Sequence, residues 1–487
     1  MESRSSLKIA VVGAGLGGMA AAFRFAKQGH DVEVYERRPS ASTQGGAIFI
    51  MGGATRCLER WGLKESFSLI SDVISAHQFR NAYDNTLMMQ MPAAQDWGSD
   101  RQSVVSLLHD RAVGAGARIS FGSEVVSIEE SESKATIQLN NGVTTTADLV
   151  ICADGILSRL RSKVLNTSDY SPAPAPSTHY PVEIPYEALV NDENAKSWIT
   201  STDSIFCTRT GGYAMARYHS KLRRLQVMFS IQAADNENPR LWDEHGDLEY
   251  VREYFKECHP ALTSVLQLAK SCCRWRLASM PELPQWSSEH GRLLLLGDAA
   301  HAMLPNAAQG FSSIIEDIEV LSTLLEGVKK PNFQGIAKSW QEIRMPRVTK
   351  MHALSQFNYD LGNKMSMIWS NAAGNGSSDA AKYTNEKEGE SNSQYEGSTQ
   401  GNTPYGSQHG GEKESAAMDD RADANADFGS PPFHKWLYEY DATEETRRYL
   451  KEAASKAAPK SMANLQLERA LGSTFLSMSR DDGILAQ

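Results

Sequence analysis

The sequence predicts an α/β fold, in which a Rossmann-like domain carries an inserted, mainly antiparallel β-sheet domain and is followed by helices. Three observations predict this fold. Residues 7–12 form an apolar strand that ends in glycines, and an Ala-rich helix and a second strand follow at 31–35. Apolar strands return at 148–152 and 293–296. Between them, residues 172–284 are richer in aromatics and proline and contain alternating stretches typical of antiparallel strands.

The chain of 487 residues exceeds what one hydrophobic core usually organises. We expect a nucleotide-binding domain in two parts, residues 1–171 and 285–373, the second part including helices. Residues 172–284 are expected to form a substrate-binding sheet domain, and residues 432–487 a helical segment. Residues 374–431 are dominated by Gly, Ser, Asn, Glu and Asp, so they predict a disordered insertion, the alternative being a long functional lid. A helical pattern over 336–361 contains Pro346, which should kink or restart the helix.

The bulk composition excludes several classes of function. The net charge is −10 and no basic block interleaved with aromatics occurs, which argues against general nucleic-acid binding. Six cysteines without CxxC pairs predict neither a metal site nor a disulfide framework, and they favour a reducing compartment. No stretch approaches the roughly 20 apolar residues of a membrane span, and no signal peptide is evident. We therefore expect a cytoplasmic protein.

The first glycine-rich turn fits G-x-G-x-x-G and lies between a strand and a helix. Gly13 permits the tight turn, Gly15 lets the backbone approach a pyrophosphate, and Gly18 lets helix and strand pack closely. Glu36 ends the second strand, where an acid accepts hydrogen bonds from ribose hydroxyls. Arg37 follows and faces either the nucleotide or solvent. Together these residues predict dinucleotide binding.

Two further acids end apolar strands. Asp154 precedes Gly155, and Asp298 follows Gly297. The carboxyl ends of parallel strands form the ligand-binding edge of a doubly wound sheet, so both acids are expected at the same site as Gly13. Small residues then dominate 305–313, where backbone N–H groups could lie against a flat ring at the start of a helix.

Together these motifs resemble the class A FAD-dependent monooxygenases, the single-component aromatic hydroxylases with a GR2-type FAD-binding domain. The similarity is greatest to the salicylate-hydroxylase-like branch of fungal secondary metabolism. It covers roughly residues 7–362 and returns at 436–442. The resemblance implies that FAD is reduced by transiently bound NAD(P)H, and that a flavin C4a-hydroperoxide then hydroxylates a small aromatic or polycyclic substrate with O2. The residues that the resemblance and the motifs assign to FAD are Gly13, Gly15, Gly18, Glu36, Arg37, Gly46, Ala47, Arg101, Asp154, Asp298, Pro305, Gln309, Gly310 and Phe311.

The sequence departs from the family at two places. Ala308 stands where many relatives have glycine, so either the turn is regular or the flavin lies slightly differently. Glu187, in a segment that matches a strand, replaces a basic residue and disfavours a carboxylate-bearing substrate if it faces the pocket; it could equally point to solvent. His301 is interpreted as structural.

No universal catalytic base is expected. Tyr213, Arg217, Tyr218 and His219 are weak candidates on a strand that should face the flavin ring. Two alternative functions remain open. One is a flavin epoxidase or Baeyer–Villiger-type oxygenase, and the other is a non-catalytic flavin-binding protein.

Overall fold

The computed structural model describes residues 6–41, 45–94, 96–232, 240–372 and 423–457, with side chains described for all of these except 365–372 and 457. The predicted disordered insertion therefore lies outside the described residues except for 423–431. The same holds for residues 458–487 of the expected C-terminal segment.

The strands and helices alternate along the chain in the manner that the hydrophobic pattern predicts. The strands are β1 Lys8–Val12, β2 Asp31–Glu36, β3 Ala47–Ile50, β4 Asp72–Val73, β5 Ala76–Asn81, β6 Leu87–Pro92, β7 Trp97–Asp100, β8 Arg118–Phe121, β9 Val125–Glu130, β10 Ala135–Leu139, β11 Thr144–Ala147, β12 Leu149–Cys152, β13 Ala173–Pro185, β14 Ser204–Arg209, β15 Gly212–His219, β16 Arg224–Ile231, β17 Trp242–Asp243, β18 Arg274–Ser279 and β19 Leu293–Leu295. The α-helices are α1 Leu16–Lys27, α2 Gly52–Arg60, α3 Lys64–Ser68, α4 Arg101–Gly114, α5 Arg161–Leu165, α6 Tyr186–Leu189, α7 Leu248–Phe255, α8 Pro260–Leu268, α9 Asp298–His301, α10 Gly310–Leu325, α11 Phe333–Ala372, α12 Pro431–Tyr438 and α13 Ala442–Ala457.

The nucleotide-binding layer is a parallel sheet in the order β19-β12-β1-β2-β8. Its central strands are apolar on both faces, because helices such as α1 and α10 cover the sheet. This arrangement brings the carboxyl ends of β1, β12 and β19 side by side. The predicted α/β fold with an antiparallel sheet and C-terminal helices is confirmed.

The second layer is a sheet in the order β17-β18-β13-β16-β15-β14-β5-β6, antiparallel except where β14 pairs with β5. Residues 172–284 supply most of its strands, but β5 and β6 come from the earlier part of the chain. One face of this sheet, here called the outer face, packs against α7 and α8 through side chains such as Ala214, Phe229 and Phe255. The opposite, inner face lies toward β3 and β7.

Helix α11 continues through Pro346 as one element, so the helix does not restart there. The segment after residue 422 returns to the nucleotide-binding layer. Arg56 donates to the carbonyl oxygens of Tyr438 and Tyr440, and Arg347 donates to that of Leu437 over 3.0 Å. Arginine side chains thus satisfy carbonyl groups at the end of α12, where a helix leaves them without internal partners. Among the described helices, none is both long and apolar enough to cross a membrane.

Candidate functional site

The ends of β1, β12 and β19 converge on one cleft with a volume of about 210 Å³. The expected residues Gly13, Gly15, Glu36, Arg37, Arg101, Asp154 and Asp298 all line it. Residues from widely separated parts of the chain therefore meet at one elongated site, because parallel strands place their carboxyl ends at the same edge.

The glycines of the first motif have three different environments. Gly13 has φ +99°, and a Cβ there would lie 2.5 Å from the Ala153 carbonyl oxygen. A Cβ on Gly18 would lie 1.8 Å from the carbonyl oxygen of Gly13, so this glycine permits close packing of helix and turn. Nothing lies within 4 Å of a Cβ on Gly15. The fold requires Gly13 and Gly18, whereas Gly15 leaves space at the N-terminus of α1.

Glu36 is buried at the end of β2 and already holds part of this turn. Its carboxylate accepts from the Ala14 N–H over 2.6 Å and from the Arg38 N–H over 2.8 Å. These bonds fix the carboxylate at the rim of the cleft, where its remaining lone pairs can accept hydrogen bonds from hydroxyl groups. Arg37 is exposed beside it.

Asp154 follows β12 with one carboxylate oxygen engaged and the other free. Oδ2 accepts from the Arg159 N–H over 3.1 Å, whereas Oδ1 is buried without a hydrogen-bond partner within the described part of the chain. Burial raises the pKa of this carboxyl. Arg161 joins the loop to α9 by donating to the carbonyl oxygens of Ile156 and Ala299, both over 2.8 Å, so its role is structural.

Arg101 begins α4 and borders the cleft near Asp298. Its backbone N–H donates to the Gly46 carbonyl over 3.2 Å, and a Cβ on Gly45 would lie 2.9 Å from Arg101 Cδ. Its Nε is buried and has no partner among the residues described. Burial lowers the pKa of the guanidinium, and the charge of Asp298 opposes that shift. Gly46 and Ala47 do not line the cleft, and Gly46 is joined to it through its hydrogen bond with Arg101.

The small-residue loop, residues 305–313, also lies outside the cleft and follows α9 in the chain. Pro305 starts a 3₁₀ turn, and Ala308 adopts the left-handed conformation with φ 53° and ψ 22°. The turn is therefore not regular, so the first of the two alternatives considered for Ala308, a regular turn, does not hold. Gln309 is buried with Nε2 unpaired within the described residues, and Gly310 starts α10 with open space at its Cβ position. Phe311 packs into the main core, so only its backbone can face a ligand.

These observations fit a bound dinucleotide. Buried polar atoms of Arg101, Asp154 and Gln309 lack partners, which is costly unless a ligand supplies them. The space at Gly15 adjoins the uncapped N-terminus of α1, which favours a pyrophosphate.

The candidate residues on β15 divide between the two faces of the sheet. Side chains alternate along a strand, so Tyr213, Arg217 and His219 share the inner face. Tyr218 lies on the outer face, where it belongs to the core cluster under the helices and its ring lies 6.3 Å from that of Tyr186. The prediction that Tyr218 faces the flavin ring is therefore wrong.

On the inner face, Tyr213 Oη lies 3.2 Å from His179 Nε2. Burial raises the pKa of Tyr213 to about 12 and lowers that of His179 to about 3, so both are neutral near pH 7. Arg217 is buried against Gly98, and burial lowers its pKa to about 10. Its guanidinium nitrogens have no hydrogen-bond partner in the described regions, although the charges of Asp72 and Asp100 stabilise the cation.

Two other expectations are resolved. Glu187 lies on α6 rather than on a strand, and it is exposed and paired with Arg223 over 3.0 Å. It points to solvent and does not bear on substrate charge. His301 Nε2 lies 2.8 Å from Asp317 Oδ2 in a buried ion network with Arg344, in agreement with a structural role.

Several residues at the cleft were not predicted from the sequence. Ser123 and Glu124 line it from the loop after β8, the fifth parallel strand to end there, and Leu157, Arg159 and Ile314 also contribute. Gly122, directly after β8, was the sequence feature that could have indicated this strand end, but β8 is short and only moderately apolar.

The parallel sheet, the glycine turn and the three converging strand ends define a dinucleotide-binding protein. The sequence profile of the "FAD binding domain" family matches residues 6–355, and the chain belongs to this family. It is similar to the FAD-dependent monooxygenase OpS4 of Beauveria bassiana (strain ARSEF 2860), with 26% identity over 74% of this chain and 86% of the relative. It is also similar to the 6-hydroxynicotinate 3-monooxygenase of Pseudomonas fluorescens, with 28% identity over 75% of this chain and 94% of the relative.

Solved structures agree in fold. CtdE in complex with FAD and a substrate matches with a TM-score of 0.72 and 19% identity over 93% of this chain and all of that chain. A salicylate hydroxylase substrate complex matches with a TM-score of 0.66 and 20% identity over 92% of this chain and 98% of that chain. The predicted membership in the class A FAD-dependent monooxygenases is confirmed.

Proposed function

We propose that this protein uses NAD(P)H and O2 to hydroxylate a small aromatic or polycyclic molecule. The observation that supports this most is the single cleft formed by three strand ends, with unpaired buried atoms on Arg101 and Asp154. One relative is named as an FAD-dependent monooxygenase and another as a 6-hydroxynicotinate 3-monooxygenase. Bound FAD would supply electron transfer and oxygen activation.

In this proposal each part of the cleft binds one part of FAD. Gly15 and the N-terminus of α1 receive the pyrophosphate, and Glu36 binds the ribose of the adenylate. Asp298 binds the ribityl chain, and Arg101, Gly46 and Ala47 border the ring. Gly13 and Gly18 shape the turn that receives FAD, and the other proposed contacts of FAD are Arg37, Asp154, Pro305, Gln309, Gly310 and the Phe311 backbone.

The positive end of the α10 dipole, at Gly310, would favour negative charge at the adjoining edge of the ring. The inner face of the second sheet would exclude water above it. Tyr213 is the candidate hydrogen-bond donor to a substrate oxygen there, because its hydroxyl stays protonated near neutral pH. The sequence contains no second glycine-rich βαβ unit, so NAD(P)H is expected to bind transiently.

The expected domain organisation belongs to the same proposal. Residues 1–171 and 285–373 would form the FAD-binding domain, and 172–284 the substrate domain, to which β5 and β6 contribute. A cytoplasmic location is proposed from the cysteine usage alone.

The test begins with the visible spectrum of the purified protein, which should show bound flavin. Oxidation of NADH and NADPH and uptake of O2 are then measured with and without a panel of phenols, quinolones and polyketide aromatics. Stimulation by a panel member, with a product one oxygen atom heavier, supports the proposal. Hydroxylation, epoxidation and Baeyer–Villiger insertion add the same mass, so NMR of the product distinguishes them. A preparation that can neither bind nor be reconstituted with FAD would exclude the function.

A further inference from the structure

A row of apolar side chains crosses the inner face of the second sheet. Each of six adjacent strands, β13, β16, β15, β14, β5 and β6, contributes one residue directly opposite the next. We call this set the central row, and it consists of Pro181, Met228, Met215, Phe206, Phe79 and Met89.

The central row begins at the loop that we assign to FAD. A Cβ on Gly46 would lie 3.4 Å from Met228 Cε and 3.7 Å from Pro181 Cβ. Farther along, the ring of Phe49 on β3 lies 6.1 Å from that of His77, the neighbour of the row on β5. Helix α11 contacts β14 and β15. The row therefore extends from the proposed ring site to the edge of the sheet.

From Met228 toward the edge of the sheet the side chains of the row become less buried, whereas Pro181 at its start is half-buried. Met228 and Met215 are 7% and 8% exposed, Phe206, Phe79 and Met89 are half-buried, and Met91, next on the edge strand, is 39% exposed.

The row is also separate from the hydrophobic core. Its alternating neighbours Ala214, Ala216, Val227 and Phe229 belong to the core cluster of the outer face. Neither Met215 nor Met228, nor the half-buried Phe79 and Phe206, belongs to any core cluster within the described residues. Apolar side chains that are shielded but not packed into a core are typical of the wall of a ligand site.

The half-buried part of the row presents flat rings. Phe79 and Phe206 stack with their centroids 5.0 Å apart and their planes at 12°. The ring of Tyr213 follows at 6.4 Å from that of Phe206. Such faces bind aromatic ligands through area burial and offset stacking, and methionine adapts to irregular shapes.

We propose that the central row from Met228 to Met89 is an extended substrate subsite, which binds the additional rings of a fused polycyclic aromatic whose reacting ring lies at the flavin. The inference rests on the proposed function and adds a substrate class to it, because a single-ring acid would leave Phe79, Phe206 and Met89 uncovered.

The experiment uses the full-length FAD-loaded protein and three probes of increasing size, phenol, 2-naphthol and 9-phenanthrol. Binding is measured by isothermal titration in the absence of NAD(P)H. The double variant Phe79→Ala, Phe206→Ala should lose about tenfold affinity for 9-phenanthrol and keep its affinity for phenol, because the rings contact only the larger ligand. Tyr250→Ala, an exposed ring on α7 behind the outer face, is the matched control and should change neither.

Unchanged affinity of the double variant for 9-phenanthrol would overturn the subsite. An equal loss for phenol and 9-phenanthrol would also overturn it, because a subsite for additional rings does not contact a single-ring probe. FAD content and NAD(P)H oxidation of the wild-type protein report separately on the proposed function, which fails if no flavin binds.

Discussion

Substitution of Gly15 by alanine should separate ligand binding from folding. Gly15 has an ordinary φ of −79° and no atom within 4 Å of its Cβ position, so the added methyl meets only the space assigned to the pyrophosphate. We expect the free energy of unfolding without FAD to change by no more than about 1 kcal/mol. Alanine is a poorer N-cap than glycine, which destabilises the fold, but it also lowers the entropy of the unfolded chain, which stabilises the fold. FAD affinity should fall by about 30-fold, which corresponds to about 2 kcal/mol of steric overlap.

Gly18→Ala provides the contrast. Its Cβ would lie 1.8 Å from the Gly13 carbonyl oxygen, so we expect the fold itself to lose about 3 kcal/mol or more. Gly114→Ala, in open space at the end of α4 and away from the cleft, is the control for the mutation type. Urea unfolding of the FAD-free proteins and titration with FAD, followed by flavin fluorescence, measure the two effects. If Gly15→Ala binds FAD as tightly as the wild type, the pyrophosphate does not lie at this turn.

Three further predictions concern single side chains. Ala308→Gly should stabilise the FAD-free protein by about 0.5–1 kcal/mol in urea unfolding. Removing the strain of a left-handed alanine should gain more free energy than the added entropy of the unfolded chain costs. Equal or lower stability would contradict this. Arg101→Met should lower FAD affinity about tenfold by titration and leave urea stability nearly unchanged, since its Nε has no partner in the described chain; unchanged affinity would exclude contact with FAD. Burial raises the pKa of Asp96 to about 7, so the free energy of unfolding should fall by up to about 4 kcal/mol as pH rises from 4 to 7. Asp96→Asn should flatten the plot of the free energy of unfolding against pH over this interval. An unchanged profile would show that Asp96 does not titrate in this way.

The cofactor cleft was largely predictable because each of its parts is local. A strand, a glycine turn and a helix follow one another within about twenty residues at the first motif, and the acids at 154 and 298 each end a short apolar strand. The rule that parallel strands end at one edge is enough to bring them together. The hydrogen-bond partners of Glu36 and the open space at Gly15 could not be predicted from the sequence, because both depend on the detailed conformation of the glycine turn.

The second layer was less predictable because long-range pairing builds it. β5 joins β14 in parallel register, His77 opposite Ser204, across more than a hundred residues, and no local pattern in residues 76–92 indicates that partner. The error at Tyr218 had a different origin. Strand period alone places residues 217 and 218 on opposite faces, so grouping all polar residues of the segment overlooked available information. Glu187 was misplaced because the strand before it ends at Pro185 and a short helix follows.

The two layers therefore carry different kinds of information about function. Conformational requirements of the backbone dominate the cleft, where a Cβ on Gly13 or Gly18 would overlap a carbonyl oxygen, so the family signature is concentrated there. On the inner face of the second sheet, a substitution at Phe79 or Phe206 would alter the exposed wall without disturbing the packed cluster on the other side. In the proposed subsite, substrate choice would change through such positions at little cost to folding. The motifs therefore indicate the chemistry, whereas the substrate has to be inferred from the side chains of the inner face.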